Sequence, residues 1–154
     1  MGWRSILLTA LAGLACSSAP AADIVWIEAE RFDNCGGWVN DAQFIDQMGS
    51  PYLLAAGMGE PVADAVTQVP LPRSGRWRLW VRDRDWVPQY HPGRFQVIVN
   101  NQAAGAVFGA SGQPGWKWED GGLFELGGRV ELRLHDLTGY YGRCDAVVLA
   151  ADIR

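Results

Sequence analysis

Two glutamates, Glu28 and Glu30, stand two residues apart in the run Trp26-Ile27-Glu28-Ala29-Glu30. On a strand, residues so spaced point to the same side. Carboxylates placed that way repel each other unless a cation or an arginine compensates them, and Arg31 and Arg143 are the arginines at hand. Aromatic residues offer a second chemistry. The stretches Trp86 to His91 and Tyr140 to Arg143 mix rings with hydrogen-bonding side chains near turn signals. A sugar ring presents an apolar C–H face that stacks on an aromatic ring, while its hydroxyls want Asp, Asn, Arg or His. The residues that could make such contacts are Trp38, Trp86, Tyr90, Trp116, Trp118, Tyr140 and Arg143. Trp26 and Trp77, inside apolar stretches, read instead as caps on a hydrophobic core.

Catalytic chemistry finds less support. His91 and His135 are the residues whose type could act near neutral pH, and neither has a triad-like neighbourhood. Ser111, in Gly109-Ala110-Ser111-Gly112, misses the spacing of a nucleophile elbow. Asp83 with Asp85, or Asp33 with Asp46, would be carboxylate pairs of the kind that hydrolyse glycosides. Acidic pairs are common in surface loops, however, and His135 beside Leu134 reads as a hydrogen-bonded structural residue.

The elements that must position these groups are strands. Gly75-Arg76-Trp77-Arg78-Leu79-Trp80-Val81-Arg82 alternates strictly, with Trp77, Leu79 and Val81 on one face. Arg94 to Asn100 repeats the pattern through Phe95, Val97 and Val99, and Val130 to His135 does so again. Apolar runs at Ile24–Ala29 and Ala146–Ala151 complete the set. Turn signals separate them: Pro70 and Pro72 with Ser74-Gly75, Pro92-Gly93, Gly112 to Gly115, Gly121-Gly122 and Gly127-Gly128. Asn100-Asn101 stands where a tight hairpin favours Asn-Gly, and Asn tolerates the positive φ required. Short strands at regular spacing predict one all-β domain, an antiparallel β-sandwich or barrel. Phe32 to Gly59 fits neither period and reads as an irregular segment, either a binding loop or a tolerated surface one.

Met1–Ala21 has the layout of a secretory signal peptide: Arg4, an apolar stretch from Ile6 to Ala15, and the small residues Ala19-Pro20-Ala21. The apolar run is too short to span a bilayer. Cys16 could mark a lipoprotein signal, although Gly13 stands where leucine is usual, so the expectation is a secreted or periplasmic protein. The domain at 22–154 then carries 12 Lys and Arg against 17 Asp and Glu. That acidic balance argues against nucleic acid and anionic membrane as partners. Cys35 and Cys144 remain. In an oxidising compartment two cysteines point to one disulfide, with two buried free thiols as the alternative.

The opening Ile27-Glu28-Ala29-Glu30 and the closing Cys144-Asp145-Ala146-Val147 form a pair that resembles carbohydrate-binding modules of families six and thirty-five and their galactose-binding-like jelly-roll relatives. The strands Gly75–Arg82, Phe95–Asn100 and Val130–Leu134 extend the likeness. A narrower resemblance, through Gly36-Gly37-Trp38, Arg84-Asp85-Trp86-Val87-Pro88 and Leu134-His135-Asp136, is to the β-sandwich domain of bacterial FAD-dependent oxidoreductases labelled xanthan-lyase-related. Gly57-Met58-Gly59 does not amount to a dinucleotide fingerprint, because Val62 stands where the third glycine belongs. The resemblance implies a jelly-roll sandwich with a structural calcium on Glu28, Glu30 and Asp145, Asp46 being a weak further ligand. Hard carboxylate oxygens suit that ion. It also implies a non-catalytic module whose partner is a polysaccharide or oligosaccharide. The alternative is an accessory domain, covalently linked to a flavin-dependent oxidoreductase or a polysaccharide-degrading enzyme, that binds no sugar itself.

Overall fold

The structure is a computed structural model that describes residues 22–152. The signal-like segment Met1–Ala21, with Cys16, lies outside the described residues. Ten strands form the domain: β1 (Ile24–Glu28), β2 (Trp38–Asp41), β3 (Tyr52–Ala55), β4 (Ala65–Pro70), β5 (Gly75–Arg84), β6 (Phe95–Val99), β7 (Gln102–Ala103), β8 (Trp116–Leu126), β9 (Arg129–Asp136) and β10 (Gly142–Ala151). A 3-10 turn, Ala29–Arg31, follows β1, and one helical turn, α1 (Ile45–Met48), precedes β3.

The strands make two antiparallel sheets. The larger runs β2-β3-β10-β5-β8, and β1 also pairs with β10. The register explains that arrangement: β3 pairs with Gly142–Cys144 and β1 with Ala146–Ala150, so the two share one edge of β10 end to end. The smaller sheet runs β4-β9-β6-β7. Between them lie the alternating residues: Trp77, Leu79 and Val81 from one sheet, and Phe95, Val97, Leu132 and Leu134 from the other, all fully buried. Burying each such side chain contributes about 1.5–3 kcal/mol. Of the sandwich or barrel that period-2 alternation left open, the sandwich is the fold observed, as the family resemblance implied.

The segment Phe32 to Gly59 differs from its reading as irregular, since it supplies β2, α1 and β3 to the edge of the larger sheet. Strands of four residues are too short to show a period. Gly121-Gly122 is not a turn either. It lies inside the eleven-residue β8, where the register against β5 shifts between Leu79 and Trp80. A Cβ on Gly121 would sit 2.4 Å from Leu79 Cδ2, so only glycine lets the bulge pass. Asn100 and Asn101 both have positive φ, 46° and 66°, and form the two-residue hairpin between β6 and β7.

The predicted disulfide is absent: Cys35 and Cys144 are free thiols. Cys144 is fully buried in the middle of the larger sheet, paired with Leu53 on one side and Asp83 on the other. Cys35 follows Asn34, which bridges to Val66 of the smaller sheet, and its thiol turns back to the Phe32 carbonyl at 3.9 Å. The side-by-side pairing of β1 and β10 does not bring these two residues together. Trp26 also departs from its reading as a core cap, being 53% exposed on the outer face of β1, whereas Trp77 is fully buried.

Candidate functional site

Three buried aspartates at strand ends hold the loops at one end of the sandwich. Asp136, closing β9, accepts hydrogen bonds from Val62 N at 3.0 Å, Thr138 N at 3.1 Å and Gly139 N at 3.0 Å. It thereby ties the β3–β4 loop to the β9–β10 loop. Asp85, just past β5, receives His91 Nδ1 at 2.6 Å and Gly112 N at 2.9 Å, which joins the β5–β6 and β7–β8 loops. Asp83 accepts from Gly109 N. Burial, then the nearby Glu119 carboxylate, pushes the Asp83 pKa up to about 8. Asp83 Oδ1 and Glu119 Oε1 are buried and lack a donor. One proton shared between these carboxyls satisfies both oxygens. The aspartates weighed as a glycosidase pair are therefore loop anchors, and Asp33 likewise serves Thr67 Oγ1 and Gln68 N. His135 bonds Asp64 at 2.9 Å, as a structural histidine would.

On this scaffold stands Trp86. Its indole N–H donates to the Tyr140 carbonyl at 3.1 Å, and Tyr141 meets the ring edge-on with centroids 5.7 Å apart. The Arg143 guanidinium lies over the same ring, 5.1 Å from its centroid, and donates to the Tyr141 carbonyl at 2.7 Å. Three contacts thus fix the indole while leaving it 36% exposed. Tyr140 and Tyr90, on the flanking loops, are exposed. Gly59 packs on Tyr140, where a Cβ would come within 2.7 Å of the phenolic oxygen.

The seven aromatic and arginine candidates do not form one site. Trp86, Tyr90 and Tyr140 share the loop end, and Arg143 is buried behind Trp86 as its positioning residue rather than as a surface contact. Trp38 is a core residue, edge-on to Phe95 at 5.5 Å, and is too deep to meet a ligand. Trp116 packs between Tyr52, at 4.8 Å, and Phe44, at 6.0 Å. Trp118 belongs to another face, against Trp26. The anchoring role of Asp85 and Asp136 went unread in the sequence. Its signal is an aspartate in the inward register at the last turn of an alternating strand.

The acidic candidates lie on the outer side of the larger sheet. Asp145 is bulged out of β10 between Cys144 and Ala146, its Oδ2 is 3.4 Å from Arg82, and its Oδ1 is buried without a partner. Burial first, then Glu28 and Glu30 against the opposing pull of Arg82, pushes its pKa up to about 6. Glu30, on the 3-10 turn, also carries a buried partnerless oxygen, and burial together with Glu28 raises its pKa. Glu28 Oε1 accepts the Trp26 indole N–H at 2.8 Å. Among the described residues, no three His, Cys, Asp or Glu side chains close on a ready-made metal cage. The donor set nevertheless suits a hard cation: oxygens only, mutually repelling, two of them buried without a partner. Asp46, exposed on α1, contributes nothing visible to this group.

The chain matches no protein-family model and no curated protein sequence. Its fold does have solved counterparts. A family 35 carbohydrate-binding module from Clostridium thermocellum superposes with a TM-score of 0.66 at 17% identity, covering 85% of this chain and 100% of that one. A Podospora anserina β-(1,4)-mannanase of glycoside hydrolase family 26 with a family 35 module gives 0.65 at 20%, over 85% of this chain and 28% of the mannanase. Paenibacillus xanthan lyase gives 0.63 at 17%, over 84% of this chain and 13% of the lyase. The fold is the sandwich of family 35 carbohydrate-binding modules, and among the described residues no helix is long and apolar enough to cross a membrane.

Proposed function

We propose that the domain is a non-catalytic carbohydrate-binding module of an exported protein, taking sugar at the loop end of the sandwich. The observation that carries this reading is Trp86, an exposed indole held in place by the Tyr140 carbonyl, Tyr141 and Arg143 before any ligand arrives. Stacking on a ring already fixed loses little conformational entropy. The exposed Tyr140 and Tyr90 supply further ring faces and hydroxyls. The likeness to isolated carbohydrate-binding modules supports the same reading, and the layout of Met1–Ala21 supports export. Calcium is the structural ion of this proposal, held by Glu28, Glu30 and Asp145. It would neutralise their repulsion and give the orphaned oxygens of Glu30 and Asp145 a partner.

A second reading has its own support. The chain spans 28% of the mannanase and 13% of the xanthan lyase, so the same sandwich also occurs within larger enzymes. There it would serve as an interaction domain that binds no sugar. A glycan array probed with the 22–154 domain and its Trp86→Ala variant separates the two. Binding that the variant loses by tenfold or more is the expected result, on the order of 1.4 kcal/mol. Failure of the native domain to bind plant, algal or bacterial polysaccharides leaves the interaction role standing.

A further inference from the structure

Buried polar side-chain atoms without a partner sort by kind in this domain. Acceptors collect at Glu30 with Asp145, and at Asp83, Asp85 and Glu119. Donors collect elsewhere: Arg84 Nε, Arg143 Nε, the Trp116 indole N–H and the Tyr52 hydroxyl. Only the indoles of the core residues Trp38 and Trp77 stand outside these groups. The four donors belong to neighbouring strands of the larger sheet. Trp116 faces Arg84 across β8 and β5. Arg84 and Arg143 each stand one residue beyond the Cys144–Asp83 pair, so they are neighbours across β5 and β10. Tyr52 of β3 meets the Trp116 ring with centroids 4.8 Å apart, and its hydroxyl lies beside Arg143 but outside hydrogen-bonding geometry. Tyr52 is fully buried and Arg143 is 8% exposed.

Charge points the same way as the donors. Among the described residues, neither Arg84 nor Arg143 forms an ion pair with a carboxylate. Asp41 of β2 attracts Arg143 from beyond ion-pair distance, with its Oδ1 already accepting Gln43 N at 2.7 Å. Asp46, on α1, is exposed and pairs with neither arginine. Burial first, and then Arg84 against the pull of Tyr52 and Asp41, lowers the Arg143 pKa. Two cations side by side and out of water are costly unless an opposite charge meets them.

Aromatic rings take the flat faces of both guanidinium groups. Arg84 lies over Phe44, 4.2 Å from the ring centroid, and Arg143 over Trp86 at 5.1 Å. The N–H groups lie in the guanidinium plane, so an acceptor must approach at the edge. Two cations against one distant acid leave a single positive charge to be met, which a monovalent ion does. Indole and phenol are neutral donors, and a divalent oxyanion would cost more to strip of water there than a halide. We propose that Arg84, Arg143, Tyr52 and Trp116 form a site for one small monovalent inorganic anion, chloride being the probe. The site requires neither sugar nor calcium. An anion held there would brace Arg143 from the side away from Trp86.

The test starts from the 22–154 domain dialysed free of chloride into isethionate, a bulky monovalent anion. Chloride then replaces isethionate at constant ionic strength while thermal unfolding is followed. A saturable rise of the midpoint is expected, on the order of 5 °C at ten times the dissociation constant. The chloride NMR line should broaden in the presence of the same domain. Arg84→Gln, which removes one charge at a half-exposed position, should abolish both effects. Tyr52→Phe should weaken chloride binding about tenfold. Arg129→Gln, on the smaller sheet, should change neither effect. Equal midpoints in the two salts without line broadening would mean that water serves these donors, and would overturn the proposal. So would a folded Arg84→Gln domain that keeps the native chloride response. If Arg84→Gln does not fold, Tyr52→Phe decides, and an unchanged chloride affinity in that variant overturns the proposal.

Discussion

Single carboxylates in this domain are held in states they would not take in water. The Asp83 pKa stands at about 8 and that of Asp145 at about 6, each raised first by burial and then by neighbouring acids. A carboxyl whose pKa is higher folded than unfolded binds its proton more tightly in the native state. Its stabilising contribution is fully present below the unfolded value of 3.8 and is lost as pH rises through the folded value. Without calcium, stability should therefore decline from about pH 4 toward pH 8, the part due to Asp145 being lost by about pH 6. Asp83→Asn, which keeps a group able to donate to Glu119, should flatten the upper part of that decline. In the proposed site calcium would compete with the proton at Asp145 and should restore stability above pH 6, an effect that Asp145→Ala should remove. Urea titrations across this pH range, with calcium or chelator, check both statements. A flat profile, or equal melting curves with and without calcium, contradicts them. The acids Glu28, Glu30 and Asp145 were legible in sequence because they stand in a distinctive pair of motifs. Their burial and the Trp26 bond to Glu28 were not, since both depend on which face of β1 turns outward.

At the scale of elements, the loops behave as one layer because strand-end carboxylates bind their backbones. Asp136 is the hub, receiving three N–H groups from two loops and being 1% exposed. Asp136→Ala would strand those donors, at about 1–3 kcal/mol for each one left unsatisfied. The expected outcome is a lower urea midpoint and faster amide exchange at Val62, Thr138 and Gly139. Unchanged exchange at these amides would show that the loops hold without it. The long alternating strands β5, β6 and β9 were readable in the sequence, because period 2 over five or more residues is a strong signal. β2 and β3, four residues each and set among Gly, Asp and Gln, were not, and β4 went unread because its inward Ala65 and Thr67 are weakly apolar and Val66 faces outward. β8 was hidden by Gly121-Gly122, where a bulge and a turn carry the same sequence signal. The loop-end site was half legible for a related reason. Trp86 and Tyr140 announce themselves by type, but alternation alone does not show that Trp38 faces the core and Trp118 the other side.

In the whole molecule, most contacts join residues distant in sequence, as the pairing of the first strand with the last requires. Ala55 and Gly142, paired at one end of β10, lead into the loop layer, while Ile24 and Ala150 pair at its other end. Asp23 and Asp152 are held there by the last rungs, Ala151 N to the Asp23 carbonyl and Asp152 N to the Arg76 carbonyl, both at 2.8 Å. That adjacency has a mechanical consequence. Tension applied between Asp23 and Asp152 peels β1 from β10 one rung at a time, instead of loading five rungs together in shear. Under such a pull the domain should open at low force. A handle moved to exposed Glu60, in the loop layer, should raise the rupture force against Asp152, because the strands are then loaded along their length. Equal forces in an optical trap would refute this. Anchored at this end and strained by a moving substrate, the sandwich would act as a soft link, yielding before its grip at the far end is tested.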